Sequence, residues 1–179
     1  MKILLYEVVV NMIYYIRRIA KLFRKRKEVH KMASVYNVAA YIISKCGEIT
    51  TMKLQKLTYY CQAWSLAWDD KPLFDEEFEA WANGPVCPEL FNKHRGQFVV
   101  GKNFLSKYLD YEFTDDEIET MDVVLNDLKD KSPQWLSDLT HSERPWKEAR
   151  KGYAPGEPCD KVIKKEDMRQ YYGGLLAVE

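Results

Sequence analysis

Residues 51–68 carry a pattern of hydrophobic and polar positions that repeats every three or four residues, which is the spacing of one face of an α-helix. That face is formed by Leu54, Leu57, Thr58, Cys61, Trp64, Ser65 and Trp68. The opposite side carries Lys53, Lys56, Gln62 and Ala63. Thr50 or Thr51 offers a capping hydroxyl, and the sequence Asp69-Asp70-Lys71-Pro72 ends the pattern. The sequence therefore predicts an amphipathic central helix that organises the rest of the chain.

Shorter periodic stretches on both sides of this segment predict further helices. Ser34 caps a helix that runs to about Lys45, and Thr114 with Glu117 forms a capping box for a later one. Proline marks other helix starts, because its fixed φ fits the first helical turn. These starts are at Pro88, Ser132-Pro133 and Pro145-Trp146. The pattern is that of a mainly helical chain.

The remaining segments predict little regular structure. Phe78, Ala80 and Ala82 alternate with Glu79 and Trp81, which favours a short strand or an extended piece. Asn83-Gly84-Pro85 is predicted to be a turn, since glycine tolerates positive φ and proline fixes the exit. A last short helix is predicted over 164–172, ended by Gly173-Gly174. The expected fold class is mainly α: a compact helical domain around a central amphipathic helix, with room for one small antiparallel β element.

Composition supports a folded binding domain. Hydrophobic residues make up 46% of the chain and aromatic residues 13%, which excludes a disordered polypeptide. The chain holds five tryptophans and twelve tyrosines. These residues combine a large contact area with a polar tip, so they suit both the edge of a core and a protein-binding surface.

Charge divides the chain into two parts. Residues 1–31 contain nine Lys or Arg against two Glu, a net charge of +7, whereas residues 32–179 contain eighteen basic and twenty-five acidic residues, a net charge of −7. An acidic body speaks against nucleic-acid binding by the folded domain, because phosphate contacts need clustered Lys and Arg. We therefore predict a basic amphipathic N-terminal extension over 1–31 and one domain over 32–179.

The extension admits three interpretations. Its apolar run is too short and too polar to span a bilayer, and positive charge follows that run, unlike in a secretory signal. An amphipathic helix there would bind a membrane surface, or would dock on the domain or on a partner. Alternatively, Met32 is the biological start and the extension is translated from upstream sequence. Membrane contact is the least favoured of the three.

Candidate catalytic and metal-binding chemistry is sparse. The four cysteines contain no CxxC pair and are predicted to be reduced thiols in a cytoplasmic protein. The three histidines lie far apart, outside any HExxH motif, so neither a metal nor another cofactor is expected. Asp138, His141 and Ser142 invite a hydrolase hypothesis, but no nucleophile elbow precedes the serine. We predict a protein that is not an enzyme and has no catalytic residues.

Four blocks of sequence, in order and with compatible spacing, resemble the Panacea domain family of SocA-like antitoxins, which is associated with phages and other mobile elements. The blocks are YNVAAYII at 36–43, KLQKLTYYCQAW at 53–64, PLFDE through AW to GPV at 72–86, and LTHSERPWKEAR at 139–150. Tyr171-Tyr172 resembles the close of the family pattern, so the resemblance runs from about residue 35 to residue 172. Residues 1–31 lie outside it, and no helix-turn-helix module is present.

The resemblance implies an antitoxin of a type II-like toxin–antitoxin system. Such a protein neutralises a cognate toxin, encoded nearby, by direct protein–protein binding. The alternative is a proteolytic adaptor that delivers the toxin to an ATP-dependent protease. We expect the partner-binding surface to combine the outward side of the central helix with the neighbouring turn and a histidine. The expected residues are Lys53, Lys56, Tyr59, Tyr60, Trp81, Gly84, Pro85 and His141. Half-buried core positions are the alternative for the two tyrosines.

Overall fold

The computed structural model describes residues 31–176. Within this range the helices are α1 (Val35–Cys46), α2 (Thr51–Asp69), α3 (Pro88–His94), α4 (Asp115–Leu128), α5 (Pro133–Ser142), α6 (Arg144–Ala149) and α7 (Lys165–Leu175), with a 3-10 helix at Ser106–Tyr108. The strands are β1 (Ile49–Thr50), β2 (Phe78–Trp81), β3 (Gly84–Val86), β4 (Val99–Val100) and β5 (Val162–Ile163). The prediction of a mainly α, compact domain is confirmed. No described helix is both long enough and apolar enough to cross a bilayer.

Helix α2 is the centre of the domain, and α1, α4, α5 and α7 all pack against it. The Thr50 hydroxyl accepts a hydrogen bond from the backbone N–H of Lys53 at 3.2 Å, which caps the first turn as predicted. Every residue from Leu54 to Leu66 is buried, so Lys56, Gln62 and Ala63 of the predicted polar side do not face water, whereas Lys53 is partly exposed. The expectation that this side of the central helix faces outward is therefore wrong for the buried positions. Neighbouring elements cover this part of the helix, and the side chains of Gln55, Lys56 and Gln62 form hydrogen bonds with buried backbone groups.

The strands form two small antiparallel sheets, one more than expected. Strands β3, β2 and β5 form a three-stranded sheet in that order, and β1 pairs with β4. Trp81 pairs with Gly84 across the β2–β3 hairpin, so the turn residues are Ala82 and Asn83. The prediction that Gly84 and Pro85 form the turn is therefore wrong. They belong to β3, because their backbone pairs with β2.

Helix ends follow local sequence signals except at the last helix. Thr114 and Glu117 form the predicted capping box at the start of α4. Helix α7 continues through Gly173 and Gly174 instead of ending before them. A helical glycine costs only about 1 kcal/mol relative to alanine, and the buried Tyr172 packs this helix against α2. The packing of Tyr172 therefore outweighs the low helix propensity of the two glycines. The predictions for the N-terminal extension fall almost entirely on residues 1–30, outside the described range.

Candidate partner-binding site

Two glutamines of α2 hold the chain segments that flank the β2–β3 hairpin. The Gln62 side chain accepts from the Leu73 backbone N–H and donates to the Phe74 carbonyl, both at 2.8 Å. The Gln55 side chain accepts from the Cys87 N–H at 2.9 Å and donates to the Cys87 carbonyl at 3.3 Å. These bonds pair buried backbone groups on both sides of the hairpin, and the Cys87 carbonyl also accepts the Phe91 N–H at the start of α3. The helix therefore positions the chain both before and after the hairpin.

A lysine of α2 holds the hairpin itself. Lys56 is 1% exposed, and its Nζ donates to the Pro85 carbonyl at 3.0 Å. Burial lowers the pKa of this amine to about 7. Gly84 has a φ of +99°, and a Cβ at this position would lie 2.7 Å from both Lys56 Cε and Thr140 Oγ1. Glycine is required here for two independent reasons, the backbone conformation and the close approach of β3 to α2 and α5.

A buried carboxyl group links α2 to α6 and α7. Glu143 accepts a hydrogen bond from the Tyr60 hydroxyl at 3.1 Å and from the Tyr172 hydroxyl at 2.6 Å. Burial raises the pKa of Glu143 to about 8, although both hydrogen bonds oppose the shift. The Tyr59 and Tyr60 rings meet edge to face with their centroids 5.5 Å apart, and both are fully buried. The expectation that these two tyrosines face outward is therefore wrong.

The block from 139 to 150 anchors the far side of the hairpin. Trp146 donates through Nε1 to the Trp81 carbonyl at 3.0 Å. Arg150 is buried and donates through Nη1 to the Ala80 carbonyl at 2.8 Å. His141 stacks on the Trp146 ring, with centroids 4.2 Å apart and planes inclined by 22°. The blocks recognised in the sequence are therefore in direct contact with one another in the fold.

The residues of the hydrolase hypothesis do not form a triad. Asp138 accepts from Gln134 at 2.7 Å, and the Ser142 hydroxyl donates to the Leu139 carbonyl at 2.7 Å. His141 Nε2 is buried and has no hydrogen-bond partner among residues 31–176. Burial lowers the pKa of its imidazole. In the same part of the chain, no group of three or more His, Cys, Asp or Glu is placed to hold a metal ion.

A cleft of about 740 Å³ lies between the first half of α2, the hairpin, α3 and residues 156–160. Its apolar walls include Met52, Trp81, Val86 and Phe91. The Trp81 and Phe91 rings pack edge to face with centroids 4.8 Å apart. A partly open cleft with an aromatic wall is the kind of surface that accepts a large side chain of a partner.

The structure separates the predicted partner-binding residues into three groups. Lys56 and Trp81 line the cleft, and Gly84 and Pro85 are buried in β3 behind it. Lys53 is partly exposed elsewhere, where its Nζ donates to the Lys129 carbonyl at the end of α4. Tyr59, Tyr60 and His141 do not line the cleft.

Sequence reasoning missed several residues that shape the cleft: Gln55, Glu79, Phe91, His94 and Asp160. Gln55 and His94 are joined by a 3.0 Å contact between their side-chain nitrogens, and both are buried. A glutamine within a helix that is buried over most of its length is a signal for a buried polar contact, but its partners lie far away in sequence. The cleft is assembled only by the fold.

The chain folds into a mainly α domain with a cleft that has an aromatic wall. A family model described as "Antitoxin SocA-like, Panacea domain" matches residues 54–147, more than half of the chain. The chain therefore belongs to the Panacea domain family of SocA-like antitoxins, as the motifs indicated. No curated protein and no solved structure matches the chain.

Proposed function

We propose that this protein is the antitoxin of a type II-like toxin–antitoxin pair and neutralises its toxin by binding it directly, without catalysis, in the cytoplasm. The toxin would be encoded beside it, in a prophage or another mobile element. Membership of the antitoxin family carries the proposal. The cleft supports it, because Trp81 lines it and tryptophan is enriched among the residues at the centres of protein interfaces.

We propose that the contact surface is centred on the cleft. Trp81 is the central residue, because its ring is partly exposed in the cleft and its backbone is fixed from behind by Trp146. Gly84 and Pro85 act by holding the hairpin against α2. Lys53 and His141 do not line the cleft, and we propose them as secondary contacts only. Lys56, Tyr59 and Tyr60 support it from the interior.

Co-expression with the neighbouring open reading frame tests the proposal. A toxic neighbour should be rescued by the full chain, and the two proteins should co-purify. Trp81→Ala should lose rescue, whereas Trp135→Ala should keep it, because Trp135 is 41% exposed on α5 and does not line the cleft. Circular dichroism and thermal unfolding of both variants separate lost binding from lost folding. A toxic neighbour that the full chain neither rescues nor binds would contradict the proposed function.

The adaptor alternative is distinguished by the lifetime of the toxin. Steric neutralisation leaves the half-life of the toxin unchanged or longer when the antitoxin is present. An adaptor shortens that half-life, and the effect disappears in a strain without the ATP-dependent protease. A shortened half-life with rescue that depends on the protease would replace the steric mechanism with the adaptor mechanism.

A further inference from the structure

Two side chains of β2 form one wall of the cleft. Phe78 and Ala80 point into the core, so Glu79 and Trp81 share the opposite face of the strand. Trp81 Nε1 donates to a Glu79 carboxylate oxygen at 2.7 Å. This bond fixes the orientation of the indole and keeps its ring beside the Glu79 carboxylate. The wall is preformed.

A second carboxylate reaches the same wall from the chain that enters β5. Glu79 pairs with Val162, and the Ala80 backbone N–H donates to the Lys161 carbonyl at 2.9 Å. The antiparallel register therefore places Asp160 beside Trp81. Asp160 is exposed and lines the cleft together with Glu79 and Trp81. The wall therefore combines an aromatic ring with one carboxylate on the same strand and a second carboxylate on the adjacent segment.

The cationic groups of the cleft do not offset these carboxylates. Among residues 31–176, the basic side chains that line it are Lys56 and His94, which are 1% and 4% exposed. Burial lowers the pKa of both, that of Lys56 to about 7. At neutral pH the lining is therefore negative on balance, like residues 32–179, whose net charge is −7. The complementary occupant is basic.

We propose that this cleft binds an arginine side chain presented by the partner polypeptide. The guanidinium stacks on the Trp81 indole and donates to the carboxylates of Glu79 and Asp160. A planar cation that both stacks and donates in two directions fits this arrangement better than a lysine ammonium does. The inference rests on the proposed function, since the partner is the toxin, and it adds the chemistry by which that partner is recognised.

A titration without any toxin tests the site. The full chain, labelled with ¹⁵N, is titrated with the capped peptide Gly-Gly-Arg-Gly-Gly and with the same peptide carrying citrulline, which has the same shape but no charge. The arginine peptide should shift the Trp81 indole N–H signal, assigned with Trp81→Phe. The citrulline peptide should bind at least tenfold more weakly. Equal binding of both peptides would overturn the proposal.

Matched variants separate a specific site from general attraction to an acidic protein. Glu79→Gln with Asp160→Asn removes two charges and keeps an acceptor for Trp81, and it should weaken arginine binding at least tenfold. Asp110→Asn with Glu112→Gln removes the same charge from two exposed positions outside the cleft and should leave binding unchanged. Equal weakening in the two pairs would mean diffuse electrostatics and overturn the site.

The same titration identifies the occupant. A chain that starts at Met32 should bind the peptide as the full chain does. At least tenfold tighter binding by this shorter chain would mean that the basic residues 1–31 occupy the cleft, which overturns the assignment to a partner. Loss of arginine binding in the Glu79→Gln, Asp160→Asn protein with full rescue from the toxin would overturn this inference alone. Failure of rescue with arginine binding intact would overturn the proposed function alone.

Discussion

Replacing Gly84 by alanine is expected to destabilise the domain more than any other glycine-to-alanine change in it. The φ of +99° disfavours a residue with a side chain, and that backbone strain costs roughly 1–2 kcal/mol. The new Cβ would also lie 2.7 Å from Lys56 Cε and from Thr140 Oγ1, and 2.9 Å from Lys56 Nζ. Moving buried atoms out of such a contact costs roughly 1–3 kcal/mol. The two effects together predict a loss of about 2–5 kcal/mol.

Gly152→Ala is the matched control. Gly152 has a φ of +94°, close to that of Gly84, but a Cβ there would have no neighbour within 4 Å. It therefore carries only the backbone cost of about 1–2 kcal/mol. Urea unfolding followed by far-UV circular dichroism gives the free energy of unfolding of both variants. For a domain of this size, each kcal/mol also lowers Tm by roughly 2–4 °C.

The difference between these variants measures the close approach of the hairpin to α2. Gly84→Ala should be less stable than Gly152→Ala by about 1–3 kcal/mol. If the two variants lose the same free energy, β3 does not pack against Lys56 and Thr140 as described. The account of why this segment requires glycine would then fail.

Three further changes test the buried polar contacts of α2. Gln62→Ala should lower the free energy of unfolding by about 2–5 kcal/mol in urea, since it leaves the Leu73 N–H and the Phe74 carbonyl unpaired; a loss under 1 kcal/mol would contradict this. The pKa of Glu143 is raised to about 8, so the folded state keeps a proton that the unfolded state releases above the ordinary carboxyl pKa. Wild-type stability should therefore fall relative to Glu143→Gln as pH rises towards 8, by at most about 1.4 kcal/mol per pH unit, and a rise would refute the assignment. The pKa of Lys56 is lowered to about 7, so the sign reverses: wild-type stability should rise relative to Lys56→Met between pH 7 and the ordinary lysine pKa, as measured by urea unfolding across that range.

Local sequence determined the helices and most of their ends. The three-to-four spacing set the positions of α1, α2 and α4, and capping residues such as Thr114 fixed where helices begin. The sequence motifs, which occur in the family's order, also identified the family, because motifs are recognised from the residues without knowledge of the fold. These features depend on residues a few positions apart, which is why they can be predicted without a structure.

The tertiary structure alone decided which polar residues are buried and where the cleft lies. Hydrophobic periodicity assigns a lysine or glutamine to the outer side of a helix, yet Lys56, Gln55 and Gln62 are buried. Their burial is possible because they form hydrogen bonds with backbone groups 11 to 32 residues away. The cleft likewise requires the register that brings residue 160 beside Trp81. The free energy of burying a polar group depends on its partner. A partner supplied by a distant segment is a property of the packed chain and leaves no mark in the local pattern.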